Sequence, residues 1–128
     1  MRRIELPPAP SSPSQAREFL RDSFDAWGIA GDAKEDGALL VTEMVTNAII
    51  HAKTAVVVEV SKSGHVVEVA VSDSGGGAVR LQDPRPDSVT GRGLRLVDRL
   101  ASEWSVTDRA GGKTVRFSLD VNGAKAGL

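Results

Sequence analysis

The segment from Val41 to Ala52 constrains the fold more than any other part of this chain. Its apolar residues recur at the i, i+3, i+4, i+7, i+8 and i+11 spacing of one helix face, which predicts a helix with that face buried: Val41, Met44, Val45, Ala48, Ile49 and Ala52. Glu43 and Asn47 are four residues apart, which makes them neighbours on the opposite face. Ile50 projects from the same side, so something apolar is expected to cover this polar face, as it would if the face were the floor of a ligand pocket.

The remaining pattern predicts strands paired in hairpins and two further helices. In chain order we expect a strand at about 2–6, a helix at 13–27 and the helix described above at 32–52. Two strands at 54–61 and 65–73 are followed by a long loop at 74–93, a short helix at 94–101 and two more strands at 103–107 and 114–121. Strands and helices do not alternate, which argues against a Rossmann-type fold. The prediction is an α+β two-layer sandwich with a mixed, mostly antiparallel sheet and its helices on one face.

Length and composition limit the class of protein. The 128 residues fit one domain, with a core at about 14–121 and a tail at 122–128 that we expect to be flexible. Sixteen basic and seventeen acidic residues give no electrostatic footprint for nucleic acid or an anionic membrane. The chain has no cysteine, and no apolar run approaches the ~20 residues that span a bilayer. We therefore expect a soluble, cytoplasmic protein that binds neither nucleic acid nor membrane directly.

The polar pair on the central helix, Glu43 and Asn47, has two interpretations. The Glu43 carboxylate is suited to act as a general base, and the Asn47 amide oxygen to bind Mg²⁺, which takes few protein ligands beside phosphates and waters. An ordinary solvated helix face is the alternative, and on spacing alone it is the better one.

Two glycine-rich segments also have a functional and a plain reading. In Asp73-Ser74-Gly75-Gly76-Gly77 a carboxylate at a strand end is suited to accept a hydrogen bond from an exocyclic amine, but the segment also fits a simple turn. Gly91-Arg92-Gly93-Leu94 begins a predicted helix, where free N–H groups and Arg92 would favour a phosphate; loop flexibility explains it equally well. Gly111-Gly112-Lys113-Thr114 is not a P-loop, because Thr107 stands where that motif needs a glycine and a strand follows.

Together these motifs carry a resemblance that none carries alone. The run from Glu43 to Ala52 resembles the N box of the Bergerat-fold ATPases, the superfamily of gyrase, mismatch-repair ATPases and histidine kinases. Asp73-x-Gly75-x-Gly77 is similar to the first glycine box of that superfamily, and Gly91-Arg92-Gly93-Leu94 to the second. Within the superfamily, the chain most resembles the anti-sigma factor serine kinases and their small bacterial relatives. The residues that carry this likeness are the segment Gly91–Asp98, then Trp104 and Gly112-Lys113-Thr114-Val115.

The resemblance implies a role for each matching residue. Asn47 would bind Mg²⁺, Asp73 would recognise the adenine amine, and Thr114 would support the base-binding end. The glycines of the two boxes, Gly75, Gly77, Gly91 and Gly93, would shape a lid over the phosphates of ATP. Arg92 and Leu94 would also belong to the nucleotide-binding site. Glu43 would be the catalytic base that accepts a proton from the serine of a partner protein.

The function that this resemblance implies is an Mg-ATP-dependent serine/threonine protein kinase and anti-sigma switch. Its partners would be a sigma factor and an antagonist protein with a phosphorylatable serine, and the relatives suggest a homodimer. The alternative is a nucleotide-gated protein-binding module without catalytic turnover.

Overall fold

A computed structural model describes residues 1–74, 99–109 and 111–121 of the chain. The elements in this part are β1 (Arg2–Leu6), α1 (Ser12–Ala26), α2 (Asp32–Ala52), β2 (Val56–Ser63), β3 (Val66–Asp73), β4 (Glu103–Arg109) and β5 (Gly112–Asp120). None of the described helices is long and apolar enough to span a membrane.

The five strands form one sheet in the order β1-β2-β3-β5-β4. Every neighbouring pair in the described part of the chain is antiparallel, so the sheet has no parallel pair there, although a mixed sheet was expected. Tight connections account for two of the four pairings, because a short hairpin can join only antiparallel strands. The α+β architecture predicted from the sequence is confirmed.

Alternation along the central strands explains why the molecule has two layers. Successive side chains of a strand point to opposite faces of a sheet, and in β2 the buried residues are every second one: Val56, Val58 and Val60. The register continues this apolar face across the sheet, since Val58 pairs with Val71 and Val71 with Val115. Both helices pack on that face, α1 against β1 and β2 and α2 against β2, β3 and β5.

Helix α2 buries a wider surface than its apolar pattern predicted. Leu40 is fully buried and Asn47, two turns later on the same edge, is only 4% exposed. The prediction that Asn47 lies on the face opposite the core is therefore wrong. The physical reason is that residue 47 lies only about 60° from Met44 around a helix of 3.6 residues per turn, so a sheet that packs close to Met44 also covers Asn47. Ile50, by contrast, is 47% exposed to solvent.

A glycine sets how closely α2 approaches its neighbours. A Cβ atom at Gly37 would lie 3.0 Å from Cδ1 of Leu119, 3.1 Å from Cδ2 of Leu20 and 3.4 Å from Cζ of Phe24. Such contacts leave little room for a larger residue. Gly37 thus lets α2 pack tightly against both α1 and β5, and this contact fixes where the far end of α2 meets the sheet.

Truncation of Phe24 is expected to be costly because this side chain is fully buried where the two helices meet. Phe24→Ala should lower the free energy of unfolding by about 3–5 kcal/mol, measured by urea denaturation. Phe19→Ala is the matched control: Phe19 is only partly buried against the core, so its loss should cost clearly less. Equal losses for the two variants would contradict this description of the core.

Candidate functional site

A narrow pocket lies between the C-terminal half of α2 and the ends of β3 and β5. It is small: the space of about 290 Å³ that it bounds includes open solvent, and its interior has room for about one water molecule. Its lining combines apolar side chains from the core with three polar ones, and consists of Met44, Asn47, Ala48, Val71, Asp73, Lys113 and Val115. Most ligand sites are built this way, from apolar walls and a few polar groups that fix the orientation of the ligand.

The carboxylate of Asp73 is held where the ladder between β3 and β5 ends. The last registered pair of these strands is Ser72 with Thr114. Immediately beyond it, the backbone N–H of Lys113 donates to Oδ1 of Asp73 (3.3 Å). The backbone N–H of Ser74, the residue after Asp73, donates to Oγ1 of Thr54 (3.2 Å). Asp73 is only 3% exposed, so the carboxylate is fixed at the base of the pocket.

The backbone of β5 can approach Asp73 this closely because Gly112 has no side chain. A Cβ atom at Gly112 would overlap the carbonyl oxygen of Asp73 and crowd the Cα of Ser74. Gly112 also has a φ of +154°, which other residues rarely adopt. Both features make glycine necessary where β5 begins.

Asn47 brings an unusual polar atom into the pocket. Its Oδ1 is buried and has no hydrogen-bond partner within the part of the chain that the structure describes. A buried acceptor without a partner costs about 1–3 kcal/mol, so such an atom calls for a ligand. An amide oxygen is a ligand that Mg²⁺ accepts, together with phosphate oxygens and waters. The residue at this position therefore fits the metal that the sequence led us to expect.

Glu43 lies one turn before Asn47 on α2 and is half-buried. It is not among the described residues that line the pocket, although Asn47 is. Asp36 lies further back on the same edge of the helix. Partial burial raises the pKa of Asp36, and the Asp32 carboxylate one turn earlier raises it further.

The structure turns the side chain of Thr114 away from that of Asp73. The Thr114 hydroxyl is hydrogen-bonded to that of Ser72 (2.9 Å). Since Ser72 and Asp73 are consecutive in a strand, their side chains point to opposite faces of the sheet. Thr114 therefore faces away from the pocket, and it stays a predicted contact without support from this geometry.

Lys113 is the pocket residue that sequence reasoning missed. It is only 8% exposed and lines the pocket beside Asp73. A signal was present in the strict alternation of β5, because Val115 and Phe117 were recognised as core residues and Lys113 shares their face. The other expected contacts, Gly75, Gly77, Gly91, Arg92, Gly93 and Leu94, lie outside the described residues.

The sheet order, with α1 and α2 on one face and a polar pocket at the end of α2, defines a two-layer α+β domain. Residues 6–119 match the family described as the histidine kinase-like ATPase domain. This chain belongs to that family, and the resemblance found in its motifs is confirmed. No curated protein matches the chain.

Solved structures with the same fold include several bacterial proteins. The structure of the RsbU and RsbW domains of Rv1364c from Mycobacterium tuberculosis superimposes with a TM-score of 0.74 at 21% identity, over 94% of this chain and 33% of that one. The histidine kinase domain of the blue-light activated histidine kinase EL346 from Erythrobacter litoralis gives 0.60 at 28% identity, over 73% of this chain and 47% of that one. A chain of the SiaB–SiaC complex from Pseudomonas aeruginosa gives 0.63 at 14% identity, over 93% of this chain and 89% of that one. The present chain thus spans about a third of the first structure and about half of the second.

Gly112→Ala is expected to push β5 away from Asp73, because the added methyl group overlaps backbone atoms that cannot rotate aside. The free energy of unfolding should fall by about 1–3 kcal/mol, measured by urea denaturation. Gly111→Ala is the matched control, since no atom of residues 1–74, 99–109 or 112–121 lies within 4 Å of a Cβ there. If the two variants were equally stable, the close contact between β5 and Asp73 would be refuted.

Proposed function

We propose that this protein binds Mg-ATP in the α2–β3–β5 pocket and is a regulatory serine/threonine protein kinase of the anti-sigma factor type. The observation that carries the proposal is the buried Oδ1 of Asn47, which lacks a hydrogen-bond partner among the described residues and lines the same pocket as the Asp73 carboxylate. The amide oxygen of Asn47 suits a metal bound to the phosphates, and the carboxylate of Asp73 suits the amine of a base. Together they match the two ends of a nucleotide.

In this proposal each residue has a defined task. Asn47 holds Mg²⁺ through Oδ1, and the metal, when bound, supplies positive charge to the phosphate oxygens. Asp73 accepts a hydrogen bond from the adenine amine. Its carboxylate can serve this purpose because the backbone N–H of Lys113 fixes it in place. The glycine boxes that contain Gly75, Gly77, Gly91 and Gly93, with Arg92 and Leu94, contribute to phosphate binding.

Glu43 is the base for phosphoryl transfer. The serine Oγ of the partner protein bonds to the terminal phosphorus of ATP, and the bond from that phosphorus to its bridging oxygen breaks as ADP leaves. The serine proton passes to the Glu43 carboxylate. The position of Glu43 on α2, half-buried and one turn before Asn47, supports this role.

The proposed partners are a sigma factor, bound in one nucleotide state, and a small antagonist protein with a phosphorylatable serine. The fold shared with a structure that contains an RsbW domain and with a chain from the two-protein SiaB–SiaC complex is consistent with a partner-binding role. A cytoplasmic location and a homodimer belong to the same proposal. The alternative is a nucleotide-gated binding module that exchanges partners without transferring phosphate.

Asn47→Leu separates the metal role from a structural one. Leucine has nearly the shape of asparagine and removes the unpaired acceptor, so the variant without ligand should unfold at the same temperature as the wild type or higher. Mg-ATP at ~100 times its dissociation constant should stabilise the wild type by about 2.7 kcal/mol, a shift of several degrees, and the Mg²⁺-dependent part should vanish in the variant.

Thermal unfolding with ATP, with and without Mg²⁺, makes this measurement, and Asn47→Ala serves as a second variant. A Mg²⁺-dependent shift of wild-type size in both variants would show that Asn47 does not hold the metal. No shift in the wild type would refute ATP binding itself.

Glu43→Gln tests the kinase role. Proteins that bind the immobilised ADP-loaded chain are captured from its own cells, and transfer of radiolabel from Mg-ATP to serine is then followed. Loss of the base should slow transfer by about 100-fold or more while leaving the thermal shift by Mg-ATP in place. Transfer at the wild-type rate would exclude Glu43 as the base. Partner exchange with ATP but without labelled serine would favour the binding module.

A further inference from the structure

The pocket contains a buried cation that the proposed function does not use. Lys113 is 8% exposed and Asp73 3% exposed, and both line the pocket. Lysine is seldom buried, so a lysine in the wall of a pocket points to a role for its charge there. We propose that Lys113 is a specificity-determining residue, whose ammonium donates a hydrogen bond to a ring nitrogen of the adenine that Asp73 holds by its amine. This inference rests on the base-binding role proposed for Asp73.

The strand register brings the two charged side chains to one face. Val71 pairs with Val115 and Ser72 with Thr114 in the antiparallel ladder of β3 and β5. One residue beyond, Asp73 and Lys113 follow on the face of Val71 and Val115, which is the face covered by α2. The backbone N–H of Lys113 also donates a hydrogen bond to Oδ1 of Asp73 (3.3 Å). Asp73 and Lys113 are therefore adjacent along one edge of the pocket.

The chemistry of this edge complements adenine. A carboxylate only accepts hydrogen bonds and an ammonium only donates them, so Asp73 and Lys113 together present an acceptor beside a donor. Adenine presents the opposite order, since its 6-amino group donates and is flanked by the ring nitrogens N1 and N7, which accept. Enzymes that read single bases do so through hydrogen bonds to such edges. A base bound by Asp73 thus brings an acceptor nitrogen to the side where Lys113 lies.

A purely structural role for Lys113 makes a different prediction. If the Lys113 ammonium served only as a counter-charge for the buried Asp73 carboxylate, removing the ammonium would weaken the hydrogen bond between Asp73 and the adenine amine. Recognition of the ring nitrogen would then be unchanged. The two roles can be separated with nucleotides that lack one group at a time.

The experiment measures the dissociation constants of four Mg²⁺-bound nucleotides by calorimetry: ATP, 1-deaza-ATP, 7-deaza-ATP and purine riboside triphosphate, which lacks the 6-amino group. The proteins are the wild type, Lys113→Met, Lys113→Gln and the control Lys62→Met, whose lysine is exposed at the end of β2. Ratios of dissociation constants are compared within each protein, so a general loss of stability in a variant cancels.

In the wild type, one of the two deaza analogues should bind at least about tenfold more weakly than ATP, because a hydrogen bond to a charged group is lost. In Lys113→Met that ratio should fall to about one, while the preference for ATP over purine riboside triphosphate persists through Asp73. Lys113→Gln, which retains a donor, should keep part of the ratio. Lys62→Met should behave as the wild type.

Three results would overturn the inference while leaving ATP binding intact. They are a wild type that binds both deaza analogues as tightly as ATP, a Lys113→Met variant that keeps the wild-type ratio, and tighter binding of Mg-GTP than of Mg-ATP. The last would mean that Asp73 and Lys113 read the N1–H and O6 of guanine. Failure of the wild type to bind any of the nucleotides would instead refute the proposed function, and the inference with it.

Discussion

The contact between α2 and the strands β3 and β5 is the constraint on which the rest of the structure depends. It is made by a buried valine face on the sheet and by the close approach that Gly37 permits against Leu119 of β5, while Leu20 and Phe24 of α1 pack near the same glycine. Interiors are packed as densely as organic crystals, so a helix seated this way has one position along the sheet. That position brings Asn47, on the edge of α2, over the ends of the two strands. The pocket is a consequence of core packing.

The same contact explains why the pocket contains buried polar groups that lower the stability of the fold. Asn47, Asp73 and Lys113 are all at least nine-tenths buried, and the other residues of the pocket wall are apolar. Buried polar groups are tolerated when they are paired, and Asp73 is held by the backbone of β5. The Oδ1 of Asn47 is not satisfied by any residue that the structure describes. Proteins break local rules of stability in this way mainly at functional sites.

Much of the fold was predictable because its periodicities are strong. The strict alternation in β5 and the heavy use of valine in β2 and β3 identified these strands to within about two residues, and the i, i+3, i+4 pattern identified α2. The order of the elements then left few arrangements, of which the two-layer sandwich was correct. The absence of a parallel pair among the described strands was not predictable in this way, because a pattern of alternation is the same for both strand directions.

The site was only partly predictable, for a geometric reason. By itself the sequence determined which residues carry chemistry: Glu43 and Asn47 stand one turn apart on α2, and Asp73 ends a buried strand. Their order along the chain sufficed to indicate the family. Only the tertiary structure decided which of them share a pocket. Helix spacing put Asn47 on the face opposite the core, but the sheet covers a wider arc of α2 than its apolar residues mark.

Which of Lys113 and Thr114 lines the pocket was likewise not predictable from the sequence alone. The two are neighbours in sequence, and the resemblance favoured the threonine. The register of β5 on β3 turned Thr114 toward Ser72 and set Lys113 beside Asp73. Register is fixed by side chains from several strands packing at once, because a slip by one residue would exchange the two faces of β5. A single segment of sequence does not contain that information, and so the composition of the pocket had to come from the fold.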